Sequence, residues 1–338
     1  ETSSGDYLLT GSVFLGTNGD VGDGAAIKIT DSEKITFKNT TITKSAEHGI
    51  KVVNSKNCRF ENLELKFNSK YGAEDRDGTN NLWKNCYANY NGRSDENTIV
   101  TNFGRGITIW RGNRIKIVGG EAVKNSEYGH RIYSEITDLT SSVCCEINDC
   151  YFKDNGSVRS VNIYLYAEDK KLITDCEIQN NIIEIEDDSI TNTAMSLQGT
   201  ANIFKNNVIR NISPTRNYSV PIYLYGADSC VIKGNKVYNT LSFVGFSGTV
   251  GKIPENIEVI DNKSNTRVIT SSYFGINHSW IGGVHKHNAD LDVYGDPILP
   301  DSATNGITIN INTPSSKMDG VTIDGFNKNI IIFVCIIK

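Results

Sequence analysis

Three stretches of the chain, Cys176-Glu-Ile-Gln-Asn-Asn-Ile-Ile, Asn202-Ile-Phe-Lys-Asn-Asn-Val-Ile and Cys230-Val-Ile-Lys-Gly-Asn-Lys-Val, align without gaps, and their starts lie 26 and 28 residues apart. Each reads as a short strand, a small polar turn and a second short strand. The same frame accepts Lys34-Ile-Thr-Phe-Lys-Asn, Cys58-Arg-Phe-Glu-Asn, Cys86-Tyr-Ala-Asn-Tyr-Asn, Arg114-Ile-Lys-Ile-Val-Gly, Cys150-Tyr-Phe-Lys-Asp-Asn and Ile257-Glu-Val-Ile-Asp-Asn, so nine units between Gly24 and Ser264 share one pattern. Upstream of most units sits a further strand, often opened by Gly, as in Gly49-Ile-Lys-Val-Val, Gly106-Ile-Thr-Ile-Trp and Gly129-His-Arg-Ile-Tyr. No 3.6-residue period lies between the strands, which excludes βαβ units with their crossover helices. A constant period instead marks a solenoid, in which every coil climbs one strand spacing, about 4.8 Å, and returns to the same azimuth. Nine or ten such coils predict a rod on the order of 45 Å long.

Composition agrees. The 338 residues include 41 Ile, 38 Asn and 30 Gly against 6 Pro and 2 Met, with 38% hydrophobic residues and a net charge of −5. Ile fits pleated buried faces, and Asn and Gly accept the left-handed corners of tight turns. A mildly acidic chain without a Lys/Arg cluster is a poor partner for phosphate backbones, so no nucleic acid is expected. The longest apolar run, Ile330 to Ile337, is far short of the ~20 residues that span a bilayer, so no membrane insertion is expected. No basic-plus-apolar leader precedes the first strand, so any targeting signal is expected to be absent or already removed.

The turns sharpen the fold. Asn91, Asn155, Asn181, Asn207, Asn235 and Asn262 fall five residues past their unit starts, as does Asn39, and are expected to stack in one column. With this pattern the sequence resembles the right-handed parallel β-helix, or pectate-lyase-like, superfamily over residues 24 to 264, and within it most resembles phage tailspikes and polysaccharide depolymerases. The resemblance implies an all-β solenoid with an internal Asn ladder. It leaves a lead-in at residues 1–23 and an atypical C-terminal β region at 265–338, a candidate oligomerisation segment in which the repeat fades. The absence of a capping helix before Gly24 suggests a piece of a longer chain.

Five of the eight cysteines, Cys58, Cys86, Cys150, Cys176 and Cys230, open units and are expected to share one inner column. Side chains one strand spacing apart have Cβ atoms about 4.8 Å from each other, beyond the usual ~3.5–4.5 Å of a disulfide. Buried free thiols are the expectation, with no metal and no cofactor, and they point to folding in a reducing cytoplasm. His278, His285 and His287 with Asp290 and Asp292 read as polar surface rather than as a metal site.

The alternation also predicts two outward columns. The first runs Lys28, Lys51, Glu74, Thr108, Arg131, Tyr164, Ser196, Tyr223. The second runs Thr30, Val53, Arg76, Trp110, Tyr133, Tyr166, Gln198, Tyr225. Flat rings beside arginines and carboxylates suit a sugar chain, which needs apolar platforms and hydrogen-bonding groups together. A contact between subunits of a trimer and plain cross-strand stacking use the same residues. Candidate substrate-binding residues are therefore Trp110, Arg131, Tyr133, Tyr164, Tyr166, Tyr223, Tyr225 and Arg76.

Insertions follow Arg76, Tyr133 and Tyr166, and another excursion runs from Gly92 to Phe103. Long loops at one edge of a regular solenoid commonly wall a site. Acids gather there: Glu74, Asp75, Asp77, Asp95, Glu96, Glu135, Glu168 and Asp169. Of these Glu135, Glu168, Glu74, Asp77 and Asp95 are the candidate catalytic carboxylates. Glu135 and Glu168 lie on adjacent coils, about 5 Å apart, the retaining separation; Glu74 and Glu135 lie two coils apart, nearer ~9.6 Å, the inverting one. A lyase, the rival chemistry, needs a base such as Arg76, Arg131, Tyr133, Tyr166 or His130. No Gly-His-Gly occurs, and Asp187-Asp188 lies away from the aromatic columns, so the pectinase patterns of the superfamily are not met. The expectation is a homotrimeric phage tailspike, virion-borne, that binds and cleaves a bacterial surface polysaccharide by glycoside hydrolysis. A polysaccharide lyase, a non-catalytic glycan binder, a structural spike and a secreted bacterial protein are the alternatives.

Overall fold

The computed structural model describes side chains for residues 24–135, 141–156, 161–186, 193–211, 221–238 and 254–263, and strand positions alone for several flanking segments. Its strands form three parallel sheets that run along one axis, and the coils between residues 24 and 264 contribute to all three. Sheet one stacks Ile27–Thr30, Ile50–Val53, Tyr71–Arg76, Arg105–Trp110, Tyr128–Ser134, Ser160–Ala167, Asn192–Thr200, Ile222–Asp228 and Ser242–Ser247 in sequence order. These nine strands answer to the coils expected between residues 24 and 264. Parallel pairing then continues through Val268–Ser272, Thr308–Ile311 and Ile331–Val334. It also begins before Gly24, where Ser3–Leu9 pairs with Ser32–Lys38 and Val13–Leu15 with Thr41–Thr43. The coil thus runs on where the repeat fades from the sequence. The side chains of Ile330 to Ile337 and of the His278, His285 and His287 group lie outside the described residues.

Alternation drives the packing. Inward residues of sheet one, Ile50, Val52, Ile107, Ile109, Ile132, Ile163, Leu165, Leu197 and Leu224, meet Phe37, Phe60, Trp83, Ile147, Ile178 and Phe204 of sheet two and Ile42, Leu65, Phe152, Ile183 and Ile209 of sheet three. Burying such side chains from water is the main favourable contribution to folding. Inside the bore the Phe60 and Trp83 rings stack with centroids 3.9 Å apart.

The corners correct the single Asn column. Asn181, Asn207, Asn235 and Asn262 form one buried ladder where sheet two turns into sheet three, with amide contacts of 2.9, 3.0 and 3.0 Å. Asn68, Asn91, Asn125, Asn155 and Asn162 form a second where sheet three turns into sheet one, with contacts of 3.0, 2.9, 2.8 and 2.7 Å. Asn39 joins neither: it is exposed, left-handed at φ 54°, and accepts from Asn62 Nδ2 at 3.0 Å. The cysteines split in the same way. Cys58, Cys145, Cys176 and Cys230 line the corner between sheets one and two, while Cys86 and Cys150 line the corner between sheets two and three. The physical reason is that both corners use one device, a left-handed residue followed by an inward one. Asn57, Asn80, Asp175 and Ser229 play the first part at one corner and Asn62, Asp149, Asn180 and Asn206 at the other. All seven described cysteines are free thiols. Burial pushes Cys86 and Cys230 up to about 12, and Cys176 is raised by a contact with the Cys145 thiol and by burial.

Candidate functional site

Sheet one carries the candidate site, and its close coil-to-coil approach begins with glycine. A Cβ on Gly49, Gly72, Gly106 or Gly129 would lie 2.5, 2.9, 2.3 or 2.2 Å from a carbonyl oxygen of the next coil, so only hydrogen fits at these four positions. The residue before each glycine then sits at the entering edge: His48, Tyr71, Arg105 and Tyr128 stack there. The His48 and Tyr71 rings are 4.5 Å apart, and the Arg105 guanidinium lies 4.5 Å from the Tyr71 centroid and 5.3 Å from that of Tyr128. Arg105 donates to Glu127 at 2.5 Å and to the Tyr71 hydroxyl at 2.6 Å. Burial pulls the His48 imidazole down to about 3 and pushes the Tyr128 phenol up to about 12. This edge column was not anticipated; its signal is the recurring His-Gly, Tyr-Gly, Arg-Gly and Tyr-Gly pairs at 48–49, 71–72, 105–106 and 128–129.

The two expected outward columns stand in register. Lys51, Glu74, Thr108, Arg131, Tyr164, Ser196 and Tyr223 are paired in succession, and so are Val53, Arg76, Trp110, Tyr133 and Tyr166. Continuity of the second column fails at Gln198, where the register shifts and the side chain folds back to accept from the Ala167 amide at 3.2 Å. The first column is not the open surface that alternation suggested. Glu74 is 2% exposed, Thr108 1% and Arg131 8%, because the half-buried rings beside them lean across. Trp110 meets Tyr133 edge-on at 5.2 Å, Tyr133 stacks on Tyr166 at 5.6 Å, and Tyr166 tilts toward Tyr164 at 5.6 Å. Arg76 lies 3.7 Å over Trp110, and Arg131 lies 3.6 Å over Tyr133. Tyr223 and Tyr225 continue the face, both half-buried.

The acids separate by edge. Glu135 and Glu168 follow the paired residues Ser134 and Ala167 at the leaving edge, half-buried and one rung apart. Glu74 lies two rungs below Glu135 and three below Glu168, with Arg76 Nε 3.3 Å from its carboxylate. Asp77 occupies a left-handed turn at φ 55° and takes Arg111 Nη2 at 2.6 Å. Asp95 and Glu96 are not brought to them, because the Gly92 to Phe103 excursion leaves from the entering edge, on the other side of sheet one. There the Asp95 carboxylate closes a local turn on the amides of Asn97 and Thr98 at 2.9 and 2.8 Å, and those hydrogen bonds hold it below the usual carboxylate range. Asp169, at the leaving edge, caps the Lys170–Leu172 turn. Asp75 faces the bore: it is fully buried, takes Trp83 Nε1 at 2.9 Å and Asn81 Nδ2 at 3.1 Å, and burial pushes it up to about 7. His130 is likewise inside, packed edge-on against Phe152 and pulled down to about 3 by burial, which removes it as a surface base. Asp187 and Asp188 lie outside the described residues, and among those described no group of His, Cys, Asp and Glu has the arrangement of a metal site.

Residues 25–181 match the family model described as "Right handed beta helix region". A comparison of the sequence with curated proteins finds no match. Among solved structures the fold is similar to an alginate lyase from Paenibacillus (TM-score 0.55, 11% identity, 94% of this chain and 92% of that one). It is also similar to PfbA, a surface adhesin of Streptococcus pneumoniae (0.51, 16%, 85% and 71%). A third similar structure is the Dettilon tailspike protein (0.51, 17%, 93% and 62%). The chain therefore has the right-handed parallel β-helix, pectate-lyase-like fold.

Proposed function

We propose that the chain binds a bacterial surface polysaccharide along the outer face of sheet one and cleaves it, as part of a trimeric, virion-borne tailspike. The observation that carries this reading is the run of buried and half-buried rings and guanidiniums from Tyr71 to Tyr166, held in register by parallel pairing, with Tyr223 and Tyr225 continuing the face beyond the shift at Gln198. Sugar ring faces pack on such platforms, and hydroxyls find donors between them. The likeness to a tailspike and to an alginate lyase supports the same use of the fold. The buried free thiols fit folding in a reducing cytoplasm before release.

Glu135 and Glu168 are the proposed catalytic pair. One rung between them, about 4.8 Å, suits the retaining mechanism, in which one carboxylate attacks the anomeric carbon and the other protonates the leaving oxygen, then activates water. Glu74 with Glu135 forms the wider pair that inversion needs. Elimination beside a uronate, with Arg76, Tyr133 or Tyr166 as base, is the second chemistry. Incubation with purified host capsule or O-antigen tests all of these. New reducing ends are expected, with Glu135→Gln and Glu168→Gln each slowing release roughly 10²–10⁴-fold. An unsaturated uronate among the products would replace hydrolysis by elimination, and binding without release would leave an adhesin.

A further inference from the structure

Three arginines of sheet one and its leaving and entering edges have a carboxylate. Arg76 lies 3.3 Å from Glu74, Arg105 lies 2.5 Å from Glu127, and Arg111 lies 2.6 Å from Asp77. Arg131 has none among the described residues, although it is only 8% exposed. Its Nε is buried without a hydrogen-bond partner. What surrounds it is aromatic: the guanidinium lies 3.6 Å over Tyr133, and the rings of Tyr164, Tyr166 and Tyr128 lie at 5.5, 5.5 and 5.6 Å.

That environment is half of a binding site. Ring faces attract a cation, but they offer no acceptor for its planar fork of N–H groups. A buried charge with no counter-charge is costly, and buried charges are ordinarily paired. Arg105, one coil earlier, adds positive charge, and together with burial it pulls the Arg131 guanidinium down to about 10. The group that suits such a fork is a planar pair of oxygens bearing negative charge. A lone hydroxyl satisfies only one of its donors.

We propose that Arg131 anchors an acidic sugar: the repeat unit of the polysaccharide carries a carboxylate, as in a uronic acid, seated on the Arg131 fork. This rests on the reading of sheet one as the glycan face and narrows its substrate class. Arg131 positions the chain and takes no part in bond cleavage.

The test uses the full chain in thermal unfolding, with sodium galacturonate or glucuronate against galactose or glucose at equal concentration and matched ionic strength. The acid sugars are expected to raise the midpoint and the neutral sugars to leave it unchanged. Arg131→Gln is expected to abolish the shift and Arg131→Lys, which keeps charge but loses the fork, to retain part of it. Lys116→Gln, on sheet two, controls for nonspecific charge and should keep the shift in full. In affinity electrophoresis, polygalacturonate should retard the wild type at least tenfold more strongly than its carboxyl-reduced form, and Arg131→Gln should remove that preference. Equal shifts from acid and neutral sugars, or none from the acids, overturn the proposal even if a neutral host polysaccharide is bound. A galacturonate shift that depends on Arg131, in a protein that binds no host polysaccharide, would sink the polysaccharide reading and leave an acid-sugar site.

Discussion

The amide ladders and the outer face of sheet one are both stacks of polar side chains one coil apart, yet they solve opposite problems. In the ladder, Asn207 uses every group it has: Nδ2 donates to Ile178 O and to Asn235 Oδ1, each at 3.0 Å, and Oδ1 accepts from the Asn181 amide and Nδ2 at 3.0 and 2.9 Å. Along this column Asn181, Asn207 and Asn235 each donate to the next Asn, whereas the second ladder ends at Asn162 with its Nδ2 buried and unmatched. On the face, Arg131 stands among rings with its Nε unmatched. Buried polar groups are ordinarily all paired. Asn207 is complete in itself, whereas Arg131 leaves the face open to a further partner.

The largest effect expected from breaking the contrast lies in the ladder. Asn207→Leu leaves the Asn181 amide and one of the two N–H groups of its Nδ2 without partners, the other keeping Ile147 O, and removes the side-chain donor to the Ile178 carbonyl; at roughly 1–3 kcal/mol for each buried orphan the loss should be about 4 kcal/mol. Urea unfolding measures it; a loss below about 1 kcal/mol would mean that water enters the corner and the ladder is not a closed device. Next comes Asp75, a buried acid that the bore does not fully match. Its folded value of about 7 lies above that of an unfolded Asp, so between about pH 4 and 7 the folded chain binds more protons than the unfolded one. Stability from this group therefore falls as pH rises through that window and is flat above it. Asp75→Asn, which keeps an acceptor for Trp83, should equal the wild type near pH 4 and exceed it by on the order of 4 kcal/mol at pH 8. His48 and His130, pulled to about 3 by burial, act in the opposite sense, losing stability as pH falls below the ordinary His range. They are common to both proteins and cancel in the difference. Parallel pH curves for the two proteins would remove Asp75 as the source.

How much of this the sequence showed depends on what repeats. The strands, the two outward columns and the buried thiols were legible because a period-2 pattern fixes which way a side chain points. Corner identity was not, since Cys86 and Cys176 open units that look alike in sequence and belong to different corners. Asp75 was missed for a related reason: it stands at an inward position, between Glu74 and Arg76, and its charge suggested solvent. Depth on the face was also hidden. Alternation says that Arg131 points out of the bore, but only the lean of Tyr133 and Tyr166 decides that it is nearly covered.

Smaller effects separate two arginines one coil apart. Arg105→Met strands Glu127 and the Tyr71 hydroxyl, both matched by the guanidinium now, and should lose about 2 kcal/mol. Arg131→Met is the sharper case, because the structure predicts almost nothing. Removing Arg131 strands no carboxylate among the described residues. It forfeits cation–π attraction, worth about 1–2 kcal/mol when desolvated, and relieves the cost of keeping a charge out of water. Methionine fills the space with an unbranched thioether that contacts rings well. The two terms oppose each other, so the unfolding midpoint should stay put or rise by about 1 kcal/mol in equivalent stability. A loss comparable to that of Arg105→Met would show that the tyrosine cage alone satisfies the cation. Arg131 would then be a finished part of the fold, like Asn207, and the face would be waiting for nothing.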